Sequence, residues 1–168
     1  MDEFGLIARY FAPLAGEGAF GLTDDAALLA SREGQDLVVT TDAIAEGVDF
    51  FGFDPAFSIA QKALRVNLSD LAAKGAVPAH YLLNLSLPHS VTPDWLAGFA
   101  DGLARDQTEF GVSLLGGDTA ATDGALAISI TAFGFVPRGM MVRRSGARMG
   151  DDVYVTGSIG DSGGGLAI

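Results

Sequence analysis

Four aspartates, Asp25, Asp42, Asp70 and Asp118, each end or interrupt an apolar stretch. Their settings are Leu22-Thr23-Asp24-Asp25-Ala26-Ala27, Val38-Val39-Thr40-Thr41-Asp42, Val66-Asn67-Leu68-Ser69-Asp70-Leu71 and Leu114-Leu115-Gly116-Gly117-Asp118-Thr119. An ionised carboxylate in apolar surroundings is costly unless something compensates it. For a single residue, a cap or turn is a sufficient account. Four such residues, with few cations near them in sequence, point to a shared positive partner. A divalent metal bound through oxygen ligands is the simplest candidate. Ordinary roles compete at each position. Asp24 can close a turn, Asp42 can end a strand and Asp118 can follow a glycine bend. Asp70 can pair with Lys74 at i,i+4, but such a pair contributes only about 0.2–0.5 kcal/mol.

The remaining composition narrows the chemistry. The absence of cysteine excludes disulfides, thiolate metal sites and cysteine nucleophiles. Two histidines, His80 and His89, are too few for a histidine-rich transition-metal centre. The net charge of −11 argues against nucleic-acid binding, which needs Lys and Arg to neutralise phosphates. A small phosphorylated ligand stays compatible if metal ions, a local basic group or backbone amides receive it. The 168 residues are enough for a domain with a proper core. They are 49% hydrophobic and 18% charged, so the apolar surplus implies a subunit interface or a neighbouring domain. No apolar run approaches the roughly 20 residues that span a bilayer. The acidic start, Met1-Asp2-Glu3, is unlike a secretory signal, so the expected location is cytoplasmic and away from the membrane.

The elements that must position these residues are readable from periodicity. Phe4 to Leu14 has helical spacing, and Gly16, Gly18 and Gly21 then form a flexible connector. Ala26–Ala30 and Leu37–Thr41 read as two strands joined by a polar turn. Asp54-Pro55 opens a helix that runs to Lys74-Gly75 and carries Asp70 near its C-terminal end. That end of a helix dipole disfavours a carboxylate, which strengthens the case for a cation. Tyr81–Leu87 is a strand, Thr92-Pro93 caps a second long helix ending near Gly111, and Val112–Leu115, Leu126–Val136 and Val153–Thr156 are strands. This order predicts an α+β (mixed α/β) fold. The expected division is a domain over 1–150, with 151–168 beginning a truncated second domain.

The motifs together resemble the bacterial thiamine-monophosphate kinase family, within the aminoimidazole-ribonucleotide-synthetase-like superfamily. The resemblance covers essentially the whole chain. It rests on the opening Glu3-Phe4-Gly5-Leu6-Ile7-Ala8-Arg9-Tyr10-Phe11, on Lys62-Ala63-Leu64-Arg65-Val66-Asn67-Leu68-Ser69-Asp70-Leu71-Ala72-Ala73-Lys74-Gly75-Ala76-Val77-Pro78, on Gly116-Gly117-Asp118-Thr119 and on Arg144-Ser145-Gly146-Ala147. It implies transfer of the γ-phosphoryl of ATP to thiamine monophosphate. It also implies a homodimer whose N-terminal sheets associate into a barrel, with ATP touching both subunits. Asp25, Thr40, Thr41, Asp42, Asp70 and Asp118 match positions that hold magnesium in that family. Gly117, Asp118 and Arg144 match nucleotide contacts. Phe110 stands where a tyrosine is common and keeps a ring for adenine. Asp49 falls where the family has histidine or aspartate near the thiamine phosphate. Thr23 replaces a usual glycine.

The acceptor is itself an ionised phosphate, so the resemblance demands charge neutralisation rather than a strong general base. Other enzymes of the superfamily are the alternatives: selenophosphate synthetase, hydrogenase-maturation and purine-synthetase types. The lack of cysteine disfavours a cysteine-dependent selenophosphate synthetase. A non-catalytic dimerisation module is the alternative of a different class.

Overall fold

A computed structural model of the chain describes residues 3–155 and 157–166. Its frame is one four-stranded sheet, β1 (Gln35–Ala45), β2 (Val77–Pro88), β3 (Ser113–Thr122) and β4 (Ala127–Pro137). The strand order is β1-β4-β2-β3. β4 runs antiparallel to both β1 and β2, while β2 and β3 are parallel. A parallel neighbour needs a crossover, and the helix α2 (Pro93–Phe110) supplies it between β2 and β3. The helix α1 (Ala56–Ala73) returns the chain from β1 to β2. A fold mixing hairpin-like pairing with one crossover is α+β, as the sequence predicts.

Side chains on successive strand residues alternate between faces. Val38 and Ile44, Tyr81, Leu83 and Leu85, and Ile128, Ile130 and Ala132 occupy one face and are buried against the helices. The other face is open: Leu37 and Val39 are 45% and 52% exposed, and Thr41 and Asn84 are exposed too. β1 and β3 are the two edges.

The long helices follow their sequence signals. Thr92 caps α2, its hydroxyl accepting from Trp95 N at 3.2 Å, with Pro93 in the first turn. Such a cap contributes about 1 kcal/mol. α1 packs on α2 where Gly102 leaves room; a Cβ there would meet Phe57 O at 2.4 Å. Arg65 of α1 forms an ion pair with Asp106 of α2 at 2.7 Å, and Asp106 is fully buried. The Asp106 side chain also accepts from Gln61 Nε2 at 2.8 Å, so the buried charge is fully partnered.

Four expectations are corrected. Residues 26–30 form no strand; Ala26 and Ala27 line a cleft instead. Asp54 does not cap α1: its carboxylate accepts from Phe51 N at 2.8 Å, and Pro55 holds the cap position. The N-terminal helix is broken into α, π and 3-10 turns over Glu3–Leu6, Ile7–Phe11 and Ala12–Leu14. Pro13, without an N–H, prevents a regular ladder there. Residues 153–155 form no strand, and Thr156 lies outside the described residues. Asp161 opens a short helix, Asp161–Leu166.

Candidate functional site

At the β1 edge, α1 grips the strand at two consecutive inward positions. Thr40 Oγ1 donates to Asp70 Oδ2 at 2.8 Å. Asp42 N donates to Asn67 Oδ1 at 3.0 Å, and Asn67 Nδ2 donates to Ala63 O at 3.1 Å. Asn67 is fully buried. Its position follows from helical spacing, since Asn67 lies on the apolar stripe with Ala63 and Leu71. Asp42, by contrast, is exposed, and its carboxylate has no hydrogen-bond or ion-pair partner among the described residues. Asp70 is exposed near the C-terminal end of α1, and its partner is Thr40 rather than Lys74. The edge thus presents two carboxylates and a threonine hydroxyl, fixed from beneath by one buried amide.

Thr41 faces the other way. Its hydroxyl donates to Ile130 O at 3.2 Å and accepts from Thr131 Oγ1 at 3.1 Å, on the open face.

At the opposite edge lies a cleft of about 970 Å³. Asp25, Gly117 and Asp118 line it together with apolar groups such as Phe4, Ile7, Phe11 and Leu82. β3 carries an extra residue at Leu115, where its register to β2 shifts, and Asp118 then pairs with Asn84 on the open face. Gly117 has φ 152°, and a Cβ there would lie 1.7 Å from Leu83 O. Only glycine allows this close approach of β3 to β2. The loop that brings Asp25 in is pinned rather than free, with Gly16 N donating to Leu114 O and Leu28 N to Gly18 O, both at 2.8 Å. Thr23 keeps negative φ; the left-handed positions are Phe20 at 51°, Gly21 at 67° and Leu22 at 59°. Non-glycine residues in this region store strain, which is concentrated beside the cleft. Asp24 plays the turn role, its Oδ1 accepting from Asp25 N at 2.8 Å.

The acidic residues therefore form two groups, Asp42 with Asp70 and Asp25 with Asp118. β1 and β3 are three inter-strand spacings apart, about 14 Å. No single ion in one copy spans that distance. No three His, Asp or Glu side chains among the described residues form a metal-holding group.

The other candidates lie elsewhere. Asp49 sits in the turn after β1, its carboxylate accepting from Ala45 N at 2.9 Å. Phe110 ends α2, 37% exposed, with the Arg65 guanidinium 5.4 Å from its ring centroid. Arg144 is exposed in an irregular segment. None of the three lines the cleft. Arg65 itself is pushed above its ordinary pKa, chiefly by the hydrogen bond to Asp106. On the open face His80 bonds Ser113 Oγ at 2.9 Å, and burial and then Arg32 push its pKa down.

The donor set suits magnesium. It contains carboxylates and hydroxyls, and magnesium takes one or two carboxylates and completes its octahedron with phosphate oxygens and water. Two incomplete carboxylate groups match that requirement better than they match an all-protein cage. Asn67 was not singled out from the sequence; its signal was a polar residue at a core position of the α1 stripe.

Residues 23–136 match the family described as AIR synthase related protein, N-terminal domain. A thiamine-monophosphate kinase of Caulobacter vibrioides is 47% identical over 161 residues, covering 95% of this chain and 46% of the relative. The crystal structure of thiamine-monophosphate kinase from Stenotrophomonas maltophilia K279a superposes with a TM-score of 0.84 at 44% identity, covering 99% of this chain and 52% of that one. A structure described as AaThiL complexed with AMPPCP and TMP gives a TM-score of 0.76 at 33% identity, covering 98% of this chain and 51% of that one. The chain spans about half the length of the curated relatives it matches. On the family match, the chain belongs to the AIR synthase related family, with its N-terminal domain at residues 23–136.

Proposed function

We propose that the chain is the N-terminal, ATP- and magnesium-holding part of a kinase that converts thiamine monophosphate to thiamine diphosphate. An oxygen of the acceptor phosphate attacks the γ-phosphorus of ATP in line. The new P–O bond forms as the bond to the β,γ-bridging oxygen breaks, and ADP leaves with that electron pair. Such transfer depends on positioning and charge neutralisation. Magnesium would be held by Asp25, Thr40, Asp42, Asp70 and Asp118 and would supply the neutralising charge; Thr41, the remaining position that the resemblance matches, turns its hydroxyl to the open face instead. Gly117, Asp118, Arg144 and Phe110 hold the nucleotide, and Asp49 lies on the acceptor side.

The observation that carries this reading is the double grip of Asp70 and Asn67 on β1 at Thr40 and Asp42. It occurs on a fold shared with a structure described as containing AMPPCP and TMP. The separation of the two acidic groups supports a homodimer. The exposed apolar face at Leu37 and Val39 supports pairing of the two sheets into a barrel. In that dimer Asp42 and Asp70 of one copy complete a site with Asp25 and Asp118 of the other. Residues 1–150 form the nucleotide and dimerisation domain, and 151–168 begin the next. Among the described residues no helix is long and apolar enough to cross a membrane; the reading places the enzyme in the cytoplasm.

The test is ADP release by the complete protein with a panel of phosphorylated acceptors. Formation of thiamine diphosphate in step with ADP is expected. ATP use stimulated by another acceptor but not by thiamine monophosphate would reject the assignment. A phosphoprotein formed at turnover rates would reject direct transfer.

A further inference from the structure

Arg144 lies in an irregular segment, yet the chain leading to it is tied down at two places. β4 ends at Pro137, and the next residues make a turn in which Met140 N donates to Pro137 O at 2.9 Å. Gly139, at the third position of that turn, takes the left-handed conformation with φ 74°. Its N–H donates to Asp36 Oδ2 on β1 at 2.7 Å. Beside it, Arg138 N donates to Gly34 O at 2.9 Å. Asp36 is half-buried, and among the described residues its carboxylate has no other hydrogen-bond or ion-pair partner. A carboxylate accepting from a backbone N–H is a stronger tie than a neutral hydrogen bond.

The strap then crosses to the C-terminal end of α1. The last carbonyls of a helix have no partner within it. Lys74, the C-cap of α1, accepts Val142 N on its carbonyl at 3.1 Å. Val142 Cγ2 also lies against Gly75, 3.6 Å from where a Cβ would stand. Arg144 follows two residues later, so its Cα lies within about 7.6 Å of the Val142 Cα. Asp70 lies one helical turn before Lys74, about 6 Å along the axis. The strap therefore sets Arg144 at the end of α1 that carries Asp70, on the β1 side of the sheet. The cleft with Asp25 and Asp118 lies at the far edge, along β3.

We propose that Asp36 is a positioning residue for Arg144. By holding Gly139 N, its carboxylate fixes the strap over 137–142, and the strap delivers the Arg144 guanidinium to the phosphates of a nucleotide held at Asp42 and Asp70. This rests on the nucleotide role of Arg144 in the function proposed above and adds what holds that arginine in place. Arg144 has no ion-pair partner of its own among the described residues. A long side chain on a loose segment loses entropy when it binds, and a segment already docked has lost part of it beforehand.

The experiment uses the complete protein with magnesium and a non-hydrolysable ATP analogue, its affinity read by calorimetry. Arg144→Gln removes the charge-assisted contact and weakens the analogue about 10-fold or more. Asp36→Ala weakens it about 3- to 10-fold in the parent protein. In the Arg144→Gln background the same change costs less than about 2-fold, because a residue that acts through another adds little once the other is gone. Asp36→Asn keeps an acceptor oxygen for Gly139 N and restores most of the loss. Trypsin reads the strap itself: cleavage after Arg143 and Arg144 is faster in Asp36→Ala than in the parent protein or in Asp36→Asn. Equal losses in the two backgrounds, or full affinity in Asp36→Ala despite faster cleavage, overturn the proposal. Unchanged cleavage in Asp36→Ala sinks the hold on the strap alone, whereas unchanged affinity in Arg144→Gln sinks the nucleotide role of Arg144 and the proposal with it.

Discussion

Replacing Asn67 by leucine separates what holds the β1 edge from what the edge holds. The side chain makes two hydrogen bonds, to Asp42 N at 3.0 Å and to Ala63 O at 3.1 Å. Each has a net worth of about 1 kcal/mol. The Ala63 carbonyl retains its place in the helix ladder, so its loss is no more than that. Asp42 N points away from β4 on an edge strand and is close enough to solvent for water to replace part of its bond. Leucine fills most of the vacated volume, which limits any cavity term. The sum is a destabilisation of about 2 kcal/mol, or about 4–8 °C in Tm for a chain of this size. Denaturant unfolding of the chain without ligand measures that number. The second reading is metal-dependent nucleotide binding. Residues that orient a metal ligand cost about 10- to 100-fold in metal affinity when lost. The magnesium concentration needed for half-maximal nucleotide binding is therefore expected to rise by about 10-fold or more. A variant that loses stability but keeps its magnesium dependence would refute the reasoning, leaving Asn67 as packing alone.

Three further outcomes follow from other contacts. Asp42→Asn and Asp118→Asn should each abolish turnover, while an equimolar mixture refolded together should regain about a quarter of normal activity through mixed dimers with one intact site; no recovery would place both groups in one copy's site. Arg65→Met should cost about 3 kcal/mol in urea unfolding, because it leaves the Asp106 charge buried, whereas Asp106→Asn should cost less, since the half-exposed Arg65 can turn to water; equal losses would contradict this asymmetry. His80 has a folded pKa below its ordinary 6.5. The unfolded chain therefore binds the extra proton, and the stability His80 gives is complete above that value and is lost as pH falls through it toward the folded pKa. His80→Gln should flatten the decline in Tm between about pH 7 and pH 5 relative to the parent chain, and parallel curves would contradict the assignment.

What the sequence could reveal depended on whether a signal was local. α2 was legible because Thr92-Pro93 and Gly111 are cap and stop signals acting within a few residues. The alternation in β2 and β4 was legible for the same reason. Ala26–Ala30 misled because its apolar residues satisfy a strand pattern, while strand formation needs a partner that the topology does not supply. Gly116-Gly117 looked like a bend because glycine pairs usually are; here they sit inside β3, where Gly117 passes against Leu83 O. The acidic positions stood out singly, as costly charges among apolar residues. Their distribution to opposite sheet edges did not, since it is set by the β1-β4-β2-β3 order and so by pairings across the whole chain. Thr40 and Thr41 show the same limit on a small scale. Adjacent residues of one strand face opposite sides, and only Thr40 meets Asp70.

The central claim is that these acidic groups hold hard cations against a polyphosphate. The direct measurement is anomalous scattering from crystals of the complete protein grown with Mn²⁺ and a non-hydrolysable ATP analogue. The account predicts manganese peaks within about 2–2.3 Å of carboxylate oxygens of Asp42 and Asp70 and of Asp25 and Asp118, with phosphate oxygens completing each coordination shell. Nucleotide bound with no metal at any of the four would contradict it.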